Sequence, residues 1–117
     1  MDDQTMDDQT IEITVCYQDT TPESIEAGGF DDQGVYERTQ YTIQELAQII
    51  AYCEPSCYPI TPGDLHNVWF ATLNPDKDYQ TGRNRYYTYH LDNPDNPGQV
   101  ELWKQAIIQA GHNIRKI

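Results

Sequence analysis

From Ile11 the chain alternates, with Ile11, Ile13, Val15 and Tyr17 apolar and Glu12, Thr14, Cys16 and Gln18 set between them. A period of two rich in β-branched residues predicts a strand with one face buried. Residues 19–33 then read as an acidic loop punctuated by Pro22, Gly28 and Gly29, and a short strand is predicted around Val35 to Arg38. After that the period changes. Thr42 followed by Glu45 makes a capping box, in which hydroxyl and carboxylate each satisfy a backbone N–H at a helix start. Ile43, Leu46, Ala47 and Ile50 recur behind it at helical spacing, and Pro55 limits the helix to about Tyr52.

The segment EPSCYPITPGD holds three prolines and a glycine, which predicts a stiff connector. NVWFATL is apolar on both sides and predicts a central strand covered on both faces. NRYYTYHL alternates, with Tyr87, Tyr89 and Leu91 on one side and Tyr86, Thr88 and His90 on the other. NPDKDYQTGR between them reads as a long hairpin loop. Asn96 is placed to cap a last helix with Pro97 at its first position, and Val100, Trp103, Ala106, Ile107 and Ala110 form its apolar stripe before a stop at Gly111. The simplest fold that buries every stripe is α+β: an antiparallel sheet of three to four strands with two helices packed on one face. Residues 1–10 form an acidic N-terminal extension and 11–117 a single domain.

Charge changes this picture. The net charge is -12, and residues 1–57 hold thirteen acids against one base, Arg38, whereas residues 58–117 hold six of each. An excess confined to one half points to an electrostatic partner. Duplex DNA carries one charge per ~1.7 Å of axis, so twelve charges match roughly 20 Å of duplex. The doubled pentapeptide MDDQTMDDQT opens the acidic half. Within that half, Asp2, Asp3, Asp7, Asp8, Asp19, Glu23, Glu26, Asp31, Asp32 and Glu37 are the candidate phosphate substitutes. Solubility is the simpler explanation of such a surface, and an accessory module whose acidity serves only that purpose is a second reading.

Candidate chemistry adds less. Arg83 and Arg85 beside Tyr86, Tyr87 and Tyr89 combine cations with stacking surfaces, the ingredients of single-strand recognition. A chain at -12 repels nucleic acid, so no direct DNA binding is expected, and Arg83, Arg85 and Tyr86 are candidate contacts to acidic residues of a partner instead. Cys53, Cys57 and His66 define a third reading, a small enzyme or metal protein. Against it, C-x-x-x-C lacks paired C-x-x-C elements and a fourth ligand, and Cys53 sits at a helix C-terminus beside Glu54, where its thiol pKa rises. No nucleophile elbow, Walker loop or zincin motif is present, so no catalytic residue, metal or cofactor is expected. The three cysteines, with no apolar run near ~20 residues and no signal-peptide pattern, predict free thiols in a cytoplasmic protein.

In its acidic clusters, set on a small aromatic-rich domain without catalytic motifs, the chain resembles the acidic anti-defence proteins of phages and mobile elements. These are anti-CRISPR and anti-restriction proteins, some of which mimic DNA. The resemblance implies a non-catalytic inhibitor in a host bacterial cell. Its partner would be a basic DNA-binding protein or nucleoprotein complex, such as a CRISPR surveillance complex or a restriction-type nuclease. The acidic half would occupy the DNA-binding surface and exclude target DNA.

Overall fold

Two long strands carry the sheet: β1 (Thr10–Thr20) and β7 (Arg83–Leu91), antiparallel neighbours in register from Ile13↔Leu91 to Thr20↔Asn84. In this computed structural model, which describes residues 9–21, 23, 26–29 and 32–114, short strands flank them on both sides. The free edge of β1 takes β2 (Asp32–Val35) along its second half and β3 (Thr39–Thr42) along its first. The free edge of β7 takes β5 (Trp69–Thr72) and, at its other end, β6 (Asp76–Asp78); β4 (Cys53–Pro55) pairs with β5. Among the described residues the result is one antiparallel sheet ordered β2-β1-β7-β5-β4, with β3 and β6 off that path, seven strands in place of the three to four expected.

The difference lies in the short pieces. The strand expected at Val35 to Arg38 is not formed there: residues 36–38 are irregular, and short strands lie on either side, β2 ending at Val35 and β3 beginning at Thr39. The proline-rich connector begins as β4, and the long hairpin loop contains β6, Asp-Lys-Asp, a sequence with no strand propensity. Ladder hydrogen bonds to neighbouring strands, not local preference, hold these three- and four-residue strands.

The helices follow the local signals closely. Helix α1 (Ile43–Ile50) starts at Thr42, whose hydroxyl accepts from the Glu45 N–H (3.2 Å) while the Glu45 carboxylate accepts from the Thr42 N–H (2.9 Å). Because Thr42 also ends β3, strand passes into helix with no loop. Helix α2 (Pro97–Gln109) is capped by the Asn96 side chain, with Pro97 at the position where its missing N–H is harmless. It ends before Gly111, whose φ of 98° suits glycine.

Both helices share one core with a single face of the sheet. Ile11, Ile13 and Val15 of β1, Phe70 of β5 and Leu91 of β7 meet Ile43, Leu46 and Ile50 of α1 and Leu102, Trp103, Ala106 and Ile107 of α2. Phe70 and Trp103 pack edge to face at 5.5 Å. Each large aliphatic or aromatic side chain among them contributes about 1.5–3 kcal/mol by leaving water, so this cluster is the main source of stability. The opposite face is not covered as NVWFATL suggested. Trp69 is 36% exposed where its neighbour Phe70 is fully buried.

Candidate interaction surface

The predicted phosphate substitutes fall into separate places. Asp2, Asp3, Asp7, Asp8 and Asp31 lie outside the described residues, and Asp32 is described through its backbone, paired in β2 opposite Asp19. Glu23, Glu26 and Glu37 are exposed. Asp19 is the exception that corrects the set: at 1% exposure it cannot present a carboxylate to a partner.

Its role is internal. Arg85 stands opposite Asp19 across the β1–β7 ladder and grips both carboxylate oxygens, Nε to Oδ1 at 2.5 Å and Nη2 to Oδ2 at 2.7 Å. Its remaining arm, Nη1, donates to the Tyr36 hydroxyl at 2.9 Å, and the guanidinium lies 4.4 Å over the Tyr17 ring. Arg83 adds a longer ion pair to the same carboxylate at 3.7 Å. The hydrogen bond from Arg85 holds the Asp19 carboxyl below its usual range despite burial, and the same bond raises Arg85.

This cluster ties the two halves of the chain together. Tyr36, from the β2–β3 connection, packs on Tyr17 at 5.0 Å and stacks on Tyr87 at 6.1 Å. Gly34 allows the approach: it faces Tyr17 in register, and a Cβ there would meet the Tyr17 hydroxyl oxygen at 2.8 Å. The neutral half supplies the arginine, and the acidic half supplies the carboxylate and two of the rings. Sequence reasoning grouped Arg83, Arg85 and Tyr86 as one contact patch. Register separates them, since Arg85 pairs with Asp19 and Tyr86 with Gln18, on opposite faces of the sheet.

That second face is the open one. Rows across it run Val35–Cys16–Thr88–Ala71–Glu54, Gln33–Gln18–Tyr86 and Thr14–His90–Trp69. Val35 is 63% exposed and Tyr86 36%. Small Cys16 and Thr88 between larger neighbours leave a groove of about 370 Å³ lined also by Gln18, Gln33, Val35 and Tyr86. Trp69 stacks on His90 at 5.8 Å, and burial lowers the His90 pKa, which favours the neutral ring. Asp92 accepts from the Thr14 hydroxyl at 2.8 Å and pairs with Arg38 at 2.9 Å.

Desolvation dominates the thiol neighbourhood. Cys53 is buried, its Sγ donates to the Ile49 carbonyl at 3.4 Å, and burial pushes its pKa up to about 11. The direction matches the sequence argument, but the cause is desolvation. Burial, with the Asp64 charge, also raises Cys57, and His66 is exposed with Nδ1 2.8 Å from the Pro94 carbonyl oxygen. Among the described residues no three of His, Cys, Asp and Glu gather in a metal-holding group, and no helix is long and apolar enough to cross a membrane. No family model, no characterised protein and no solved structure matches the chain.

Proposed function

We propose that the protein is a non-catalytic binding protein whose acidic half occupies a lysine- and arginine-rich DNA-binding surface and so excludes duplex DNA. An anti-defence inhibitor of a CRISPR complex or a restriction-type nuclease is the specific form of this reading that the resemblance favours. The observation that carries it is the placement of charge. All twelve excess negative charges belong to residues 1–57, while nearby cations already have carboxylate partners: Arg85 and Arg83 on Asp19, and the exposed Arg38 on Asp92. An acidic field left without its own counter-charges steers a basic partner and raises the on-rate.

The same pairing speaks against direct nucleic-acid binding, because the Arg85 guanidinium already has carboxylate, hydroxyl and ring for partners. The test is a triple reversal at exposed positions, Glu23→Lys, Glu26→Lys and Glu37→Lys, with the partner obtained by pull-down from bacterial lysate. Binding of the unaltered chain should fall steeply with salt, and the reversal should weaken it at least about tenfold. Binding indifferent to salt and to the reversal would refute the reading.

A further inference from the structure

A cavity at the C-terminal end of α2 takes no part in the reading above. We infer that it binds a small hydrophobic carboxylate, with the hydrocarbon held between α2 and the Pro62–Asp64 turn and the carboxylate held by Lys104. Every described residue that lines it belongs to the neutral half, residues 58–117, so the site is independent of the acidic surface.

Three observations carry the inference. The first is size and lining. The cavity measures about 330 Å³ and lies between the second half of α2 and the short helical turn Pro62–Asp64. Pro62, Leu65, Ile108 and Ile114 give it apolar walls, and Ile108 is left 49% exposed. A cavity of about 150 Å³ holds benzene, so this one suits about two fused rings or a chain of similar bulk. The second observation is that its walls are already fixed. His112 donates from Nε2 to the Ile50 carbonyl at 2.8 Å, and its ring packs on Phe70 at 5.0 Å. Ile114 bridges to the fully buried Ile60. The turn is closed by Asp64, whose carboxylate accepts from the Thr61 N–H at 3.0 Å and hydroxyl at 2.7 Å. A preformed site loses little freedom on binding.

The third observation is charge. Lys104 is half-buried on the cavity lining and has no carboxylate partner among the described residues, whereas Arg38, Arg83 and Arg85 each have one. The acids closest to the lining in sequence are engaged elsewhere, Asp64 on Thr61 and Glu101 on the Gln105 amide at 2.8 Å. From Leu102 onward the sequence has three bases and no acidic side chain, in a chain of net charge -12. Two of those bases, Arg115 and Lys116, lie outside the described residues. An ammonium beside apolar walls recognises a carboxylate through a charge-assisted hydrogen bond, and the exposed Asn113 amide offers a second donor on the same lining.

The probe is naphthoate titrated into the full chain at physiological salt, where repulsion from distant acids is screened beyond about 8 Å. Neutral naphthamide and cationic naphthylmethylammonium carry the same rings and are the controls. Calorimetry measures affinity, and methyl shifts locate the contact. Naphthoate should bind with a Kd of about 1 mM or tighter, and at least about fivefold tighter than either control. The methyl signals of Leu65, Ile108 and Ile114 should move, and those of Val35 on the open sheet face should not. Lys104→Met keeps the apolar stem without the charge, and should reduce naphthoate to the affinity of naphthamide. Ile108→Trp, at a half-exposed position, should fill the cavity and weaken both ligands at least about fivefold without lowering the melting temperature. Equal affinity for anion and amide, tightest binding of the cation, or no binding of naphthoate overturns the inference. So does a concentration-dependent dimer that moves the same methyls with no ligand present. Each of these outcomes leaves the acidic reading standing, because Glu23, Glu26 and Glu37 take no part in the site.

Discussion

Asp19 shows how a single residue's role depends on what stands across the ladder from it. Taking two charges out of water is costly, and breaking such a pair from one side costs more than the pair itself contributes. Asp19→Asn should therefore destabilise the chain by about 3 kcal/mol in chemical denaturation, the lower end for a buried pair, because Arg85 keeps a third of its exposure. The pH dependence follows from the depressed carboxyl. The unfolded chain takes up this proton near 3.8 and the folded chain only below that, so the contribution is complete above about pH 3.8 and disappears as pH falls through the folded value. His90 adds an earlier decline below 6.5, since the unfolded ring protonates more readily than the buried one. Thermal melts across pH should show both limbs in the native sequence, and Asp19→Asn should flatten only the acid one. The raised Cys53 thiol makes a separate statement. At pH 7.5 thiol reagents should leave Cys53 unmodified until the protein unfolds, and rapid labelling of Cys53 would favour the enzyme reading.

At the scale of elements, legibility tracked the distance over which a structure is determined. Thr42 with Glu45, and Asn96 with Pro97, are complete within four residues, and both helices begin where those residues predict. Thr42→Ala should cost about 1 kcal/mol, seen as a lower denaturation midpoint with unchanged slope. The alternation from Ile11 to Tyr17 likewise identified the core face of β1, because one buried face enforces a period of two. β3, β4 and β6 were not legible, since three or four residues carry no period; β3 and β4 pair with distant parts of the chain, while β6 forms a hairpin with nearby β7 but as Asp-Lys-Asp lacks strand propensity. The run at Trp69 misled for a related reason. A continuous apolar stretch reads as covered on both faces, whereas an uncovered tryptophan leaves the same pattern. The Asp19–Arg85 contact joins residues 66 apart, which no local reading reaches.

Across the whole molecule, the division of labour is between charge and shape. The acidic half supplies β1, β2, β3, β4 and α1, and the neutral half threads β7 and β5 through the same sheet, so the charge asymmetry in sequence does not divide the fold into two bodies. Its long-range effect is a field around the single sheet that both halves build. Under the proposed function competition follows directly: a partner that holds this protein at its DNA-binding surface would be unable to hold duplex there. The decisive measurement is therefore duplex competition on the captured partner. The account predicts that increasing duplex DNA releases the protein, and that saturating protein abolishes DNA binding, with no ternary complex. A stable ternary complex, or a partner with no affinity for DNA, would contradict it.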